Sequence, residues 1–173
     1  MAPVSASASP SLSLTRSVHS LLQECITHRD IQKGRELQAL IDRNGSMKQN
    51  PFICTNLIRL FDLCGSLQEA IQAFGKISNP SIFSWSAIIL AHANHGESMN
   101  AIKLFYEMQR CNVSPNSYAF VASFKACSYM DYPRHGMLIH NQSIINDFDR
   151  DLYVINSILD MYAKCGSIDD AER

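Results

Sequence analysis

The chain carries almost no net charge. Fifteen Lys and Arg stand against 16 Asp and Glu, a formal net charge of -1. That balance argues against a strongly basic nucleic-acid clamp, while leaving room for local basic patches. No apolar run reaches the roughly 18 residues of a membrane span, so no membrane partner is expected. The six cysteines, Cys25, Cys54, Cys64, Cys111, Cys127 and Cys165, include no Cys-x-x-Cys pair. Neither a zinc framework nor a redox motif is indicated, and the cysteines read as small buried thiols in a reducing compartment. A phosphate-cradling glycine-rich loop and a convincing nucleophile–base pair are also missing, so no cofactor and no small-molecule substrate are expected. What is present is core: 46% of the 173 residues are apolar and 18% charged, enough for one domain or a short array.

The start, MAPVSASASPSLSLTRS, is rich in Ser and Ala, has no acid before Glu24 and holds one strong base, Arg16. It has no continuous apolar segment of the secretory kind. It resembles an organelle transit peptide, chloroplast favoured over mitochondrion; a plain disordered N-terminus over residues 1–14 is the other reading. The sequons at Asn44, Asn112 and Asn141 carry no weight, since nothing routes the chain to the secretory pathway.

A repeat organises the rest. Cys-Gly-Ser-x-x-x-Ala occurs at Cys64–Ala70 and again at Cys165–Ala171. Small residues recur between and before them, at Gly34, Ala70, Ala101, Gly136 and Ala171, with intervals of 36, 31, 35 and 35 residues. Each unit reads as two helices. In the stretch from Ser81 to Asn116, Trp85, Ile88, Ile89 and His92 share a face of the first helix. His95-Gly96 ends it, because Gly tolerates the left-handed conformation that helix ends prefer. Ser98 is read as the N-cap of the second helix, and Ala101, Leu104, Phe105 and Met108 form its stripe. The recurrent small residue is expected to face its own first helix and let the two backbones approach. Leu22, Ile58, Ile89, Phe124 and Leu159 fall at one first-helix position. Phe74, Phe105 and His140 fall at one second-helix position. Such pairs bury their stripes by stacking, which predicts an all-α chain, an α-solenoid of stacked antiparallel helix pairs.

The units are similar to pentatricopeptide repeats, specifically the plant type in which long, short and standard repeats alternate (the PLS subfamily). SYAFVASFKACSYMDYPRHGMLIHNQSI resembles the long form, and DLYVINSILDMYAKCGSIDDA, with its MYAKCGS, the short form. IFSWSAIILAHANHGESMNAIKLFYEMQRCNVSPN resembles the standard form. The resemblance covers all but the first fourteen residues and implies a right-handed solenoid. It sets a long repeat at 15–50, a short one at 51–81, a standard one at 82–116, a long one at 117–151 and an incomplete short one at 152–173. The tetratricopeptide repeat is the near competitor. Ala101-x₃-Phe105 fits its tail, but no unit has its Trp-Leu-Gly-Tyr head, and 31-residue units do not fit it.

The resemblance implies single-stranded RNA as partner, one base per repeat, and with it organellar RNA editing or processing. It also points to editing-complex proteins as further partners. In the family the readers are the fifth residue of the first helix and the last residue of the repeat. Here the fifth residues are His19, Thr55, Ser86, Val121 and Asn156; the last residues are Asn50, Ser81, Asn116 and Asp151. Ser86 with Asn116 is the conventional pair and implies adenine. A hydroxyl and an amide meet a purine edge that offers a donor and an acceptor. Thr55 with Ser81 departs from the pattern, as does His19 with Asn50. Val121 has no hydrogen bond to offer, and Asn156 alone leans toward a pyrimidine. The second residues, Phe52, Phe83, Tyr118 and Tyr153, are aromatic in four units of five. Their rings suit base stacking; packing between helix pairs as core is the other use.

Family members with this order serve cytidine deamination, which resides in a C-terminal domain or a recruited partner. His95-Gly96-Glu97 matches the His-x-Glu of a zinc deaminase by letter, but no Pro-Cys-x-x-Cys follows, and the site reads as a turn. His92 and His95 have no third metal ligand at usable spacing. The chain is read as non-enzymatic, with no metal. The two function classes are an RNA-binding specificity module and a protein-binding helical scaffold. The end at Arg173, inside a second helix begun at Ser167, reads as a truncation whose last helix frays.

Overall fold

In a computed structural model, described over residues 10–44, 47–130 and 134–165, the described residues are helical with no strand. In chain order the helices are α1 (Pro10–His28), α2 (Ile31–Arg43), α3 (Pro51–Leu63), α4 (Leu67–Gly75), α5 (Ile82–Asn94), α6 (Ser98–Arg110), α7 (Ser117–Cys127), α8 (Arg134–Ile145) and α9 (Leu152–Lys164). No helix among the described residues is long and apolar enough to cross a membrane. Helix α1 starts at Pro10, so residues 10–14 are assigned to its first turns. Proline suits the first helical position, where its missing N–H costs nothing. Residues 1–9, together with Gly166, Ser167, Ala171 and the expected fraying end, lie outside the described residues.

The packing is that of a helical-repeat solenoid. Helix α1 packs on α3, α3 on α5, α5 on α7 and α7 on α9. These five first helices form one continuous row. Each second helix, α2, α4, α6 or α8, packs on the first helix before it and on the one after it. The second helices are also joined to one another at their surface. Arg35 of α2 grips Glu69 of α4 with two bonds of 2.9 Å, and Lys76 reaches back to Asp42 at 2.6 Å. The Arg35 contact, ahead of any other influence, holds the Glu69 carboxyl below the usual range.

One turn chemistry is used repeatedly. A residue with positive φ follows the helix, and the next N–H closes a six-residue loop onto a carbonyl in the last turn. Gly65 and Gly96 hold φ +78° and +76°, with Ser66 N–H bonded to Phe61 O and Glu97 N–H to His92 O. Arg29, Asn112 and Asp147 take the same conformation without being glycine. Their loops close from Asp30 to Cys25, Val113 to Met108 and Phe148 to Ser143. This is the Schellman closure of orphan helix carbonyls. Ser98 is not a cap: it is the first residue of α6, and Glu97 stands at the cap position. The Glu97 carboxylate accepts from the Asn100 side chain at 2.9 Å and meets His92 Nδ1 at 2.8 Å, and those two contacts, in that order, lower its pKa.

A single apolar cluster runs the length of the row. Leu22, Ile58, Ile89 and Phe124 are fully buried, as their shared position predicts, whereas Leu159 is 45% exposed. No described helix pair follows α9 to cover it. Cys25, Cys54 and Cys127 are buried, and burial pushes the Cys127 thiol up to about 12. Cys64 and Cys165 are half-buried. Cys111 is exposed, against expectation, because it caps α6 at the surface turn.

The recurrent small residue faces the other way from the expected one. A Cβ placed on Gly34 of α2 overlaps Leu60 Cδ2 of α3, and one on Gly136 of α8 lies 2.5 Å from Met161 Sδ of α9. The space thus admits a side chain from the first helix of the next pair. It fixes the stacking between pairs rather than the closeness of the two helices within a pair. Ala70 and Ala101 at the same position are fully buried.

The last described pairs also respond to pH. His140 of α8 meets the Tyr162 hydroxyl of α9 at 3.1 Å, ring to ring at 5.8 Å, and burial lowers its pKa below the usual 6.5. The folded state therefore favours the neutral ring. Its contribution is complete above the unfolded value and falls away as pH drops through the folded one. Protection factors in α8 and α9, taken relative to the intrinsic exchange rate at each pH, are expected to fall as pH drops below the usual histidine range, and His140→Gln to remove that step. An unchanged pH profile in the variant would contradict the assignment.

Candidate functional site

The row of first helices presents equivalent positions side by side. Phe52, Phe83, Tyr118 and Tyr153, one near the start of each of α3, α5, α7 and α9, are 57%, 62%, 68% and 78% exposed. They are therefore not core, since a ring packed between helix pairs would be buried like Phe61 or Phe120, both at 0%. One apolar face per pair is left open to solvent.

The residues read as repeat ends turn out to be helix caps. Asn50 Oδ1 accepts from the N–H groups of Phe52 and Ile53, and Ser81 Oγ from Ser84 N–H. Asn116 Oδ1 accepts from Ala119 N–H at 2.9 Å, and Asp151 Oδ1 from Tyr153 and Val154. Ser, Asn and Asp are the residues that satisfy orphan donors at helix starts. The sequence signal was present as Asn50-Pro51, a cap followed by the first-position proline. Capping has a chemical consequence: one oxygen of each residue is used, and its remaining atoms are held in a fixed orientation.

Each pair then differs. Ser86 of α5, on the third pair, lies 3.0 Å from Asn116 Oδ1 and 2.8 Å from Ile82 O, and shares its one proton between them. Because Asn116 Oδ1 takes the Ala119 N–H, the amide cannot flip, and its NH₂ group is the part left to offer. Thr55 of α3 does not touch Ser81 directly; the two are joined through Ser84. His19 of α1 lies against the Phe52 ring, centroids 4.6 Å apart, and its Nε2 is 3.3 Å from Gln23, which itself bonds Asn56. His19 is thus packed onto the neighbouring ring. Val121 is half-buried against the core. Asn156 is exposed on α9. Asp151 keeps one carboxylate oxygen beyond its cap.

Beyond these positions, the row continues in polar contacts. Asn94 donates to both Asp62 oxygens, at 3.0 and 2.8 Å, and accepts from Lys125 Nζ at 2.6 Å, linking α3, α5 and α7. His95 Nε2 stands 3.4 Å from Asp62 Oδ1 without hydrogen-bond alignment. Lys164 bonds Asp160 and lies 5.8 Å from the Tyr129 ring centroid. The letters His95-Gly96-Glu97 do not assemble a site. His95 turns to Asp62 while Glu97 turns to His92 and Asn100. No group of three or more metal-type side chains occurs among the described residues.

Known proteins match this sequence. The sequence pattern of the PPR repeat family matches residues 80–128, and that of the PPR repeat residues 153–173. The first match spans α5, α6 and α7. The chloroplastic pentatricopeptide repeat-containing protein At5g55740 of Arabidopsis thaliana is 31% identical over 154 residues, 88% of this chain and 19% of that protein. The mitochondrial At3g09040 of the same plant is 29% identical over 89% of this chain and 15% of its own length. At3g16610 is 32% identical over 88% of this chain and 24% of its own. The chain therefore spans a quarter or less of the length of these relatives. Repeat matches and relatives, on a fold of stacked helix pairs, identify the chain as a pentatricopeptide repeat protein.

Proposed function

We propose that the chain binds single-stranded RNA along its row of first helices, one base per helix pair. In this reading it serves as a specificity module in organellar RNA modification, cytidine-to-uridine editing, or processing. The observation that carries the reading is the Ser86–Asn116 pair at 3.0 Å beside a row of exposed rings. Asn116 NH₂ donates to a ring nitrogen, and a Ser86 lone pair accepts from an exocyclic amine; adenine offers both. The exposed rings flank the base, and such stacking contributes about 1–3 kcal/mol per base whatever its identity.

The first helices α3, α5, α7 and α9 begin at residues 51, 82, 117 and 152. Those intervals support the repeat bounds 51–81, 82–116 and 117–151 and the short, standard, long order of the PLS subfamily. The relatives carry chloroplastic and mitochondrial names, which supports an organelle as the place of action. The transit-type start leans to the chloroplast. Editing-complex proteins are the partners that this role requires.

Filter retention of mixed single-stranded RNA tests the reading. Retention is expected at low salt, falling with a log–log slope of about -0.7 per phosphate contacted. No retention at any salt would favour a protein-binding scaffold instead.

A further inference from the structure

We propose that Ser84 sets the base preference of the second helix pair, by closing a chain of three hydroxyls that leaves only acceptors facing the groove, and that this pair favours guanine. The proposal rests on the RNA-binding reading above.

Thr55 Oγ1 lies 2.6 Å from Pro51 O. A carbonyl only accepts, so the single Thr55 proton is spent there. Thr55 Oγ1 also lies 2.7 Å from Ser84 Oγ. With the Thr55 proton committed, Ser84 is the donor in that contact. Ser84 Oγ in turn lies 3.1 Å from Ser81 Oγ. Its proton is already used, so Ser81 donates. The chain runs in one direction: Ser81 to Ser84, Ser84 to Thr55, Thr55 to the backbone. Ser81 Oγ additionally accepts the Ser84 N–H as a cap. Ser84 is fully buried, while Thr55 and Ser81 are half-buried. The two accessible oxygens each keep one lone pair and no proton.

Ser84 is the residue that makes this pair different. The position it occupies, the third of the first helix, supplies the capped N–H in four pairs. The other three occupants are Ile53, Ala119 and Val154. None of those carries a hydroxyl. In the third pair, Ser86 reaches the Asn116 cap directly and an NH₂ group is left over. In the second pair, Ser81 and Thr55 are joined through Ser84, which consumes the last proton.

Two adjacent acceptors match guanine, whose N1–H and N2–H₂ are adjacent donors on its Watson–Crick edge. Adenine and cytosine each present a ring-nitrogen acceptor, which would meet an oxygen lone pair. Uracil has one donor between two acceptors. The second pair thus offers two acceptors, where the third offers one donor and one acceptor.

The test uses the full chain and short single-stranded RNAs with one adenine, each nucleotide flanking it varied in turn. At one flank guanine is expected to bind about threefold or more tighter than adenine, the worth of one net hydrogen bond. Ser84→Ala releases the Ser81 proton and is expected to bring that ratio to about one. Thr55→Val removes an acceptor and does the same; valine is already accommodated at this position as Val121. The adenine preference of the third pair stays unchanged in both. A Ser84 that served only packing would lower the thermal midpoint and leave the ratio alone. Adenine bound as well as guanine at both flanks, or a ratio unmoved by both variants, overturns the proposal while leaving RNA binding intact. Failure to bind any single-stranded RNA overturns both.

Discussion

Phe120→Ala is expected to cost about 3–5 kcal/mol of stability, the range for truncating a fully buried phenylalanine. Phe120 is 0% exposed on α7. Its ring lies 5.6 Å from Phe105 of α6, 6.4 Å from Phe124 of α7 and 5.1 Å from Phe148 in the turn that follows α8. The side chain therefore joins the third helix pair to the fourth. In a solenoid each pair leans only on its neighbours, so the interface terms sum along the array. A loss of this size is a large share of the about 5–15 kcal/mol that holds an ordinary domain together. Chemical denaturation should show it as a lowered midpoint, and hydrogen exchange should show α8 and α9 losing protection before α3 and α5. A change under about 1 kcal/mol would mean that the ring cluster does not couple the pairs.

Asn116→Asp is expected to remove the adenine preference of the third pair and leave the fold in place. Asp is as good a helix cap as Asn, so Ala119 N–H keeps its acceptor. The NH₂ group of Asn116, whose Oδ1 is the bonded atom, becomes a carboxylate oxygen, and a donor becomes an acceptor. An adenine ring nitrogen would then face a negative charge, and a base with an imino proton becomes the better partner. The discrimination at stake is about 1–3 kcal/mol per well-matched base contact, roughly tenfold in relative affinity. Competition binding among RNAs that differ at that nucleotide measures it. An unchanged preference with an unchanged thermal midpoint would show that Asn116 caps α7 and reads nothing.

The two variants mark where sequence reading succeeded and where it stopped. Helical pairing was legible because Trp85, Ile88, Ile89 and His92 recur at helical spacing, and all four are buried. The repeat interval was legible from small residues alone. Their direction was not. A second helix touches both its own first helix and the next, and periodicity does not tell those faces apart; Leu60 and Met161 do. Arg29 turns left-handed without being glycine, asparagine or aspartate, so one of the five turns had no residue-type signal. The aromatic row was legible as a row, but its exposure is a property of packing. Ser84 was missed because Thr55 meets it only when α3 and α5 stack, Ser81 being its own helix cap. The cap role of Asn50, Ser81, Asn116 and Asp151 was written in residue type at helix starts. In the proposed reading it links folding to recognition, since the side chains that hold the helix starts are the same ones assigned to the bases.

Ultraviolet crosslinking of the full chain to single-stranded RNA, followed by mass spectrometry of the adducts, tests the central claim most directly. The account predicts adducts on the peptides that carry Phe52, Phe83, Tyr118 and Tyr153, all on first helices and all exposed. Adducts confined to the second helices, α2, α4, α6 and α8, would contradict it.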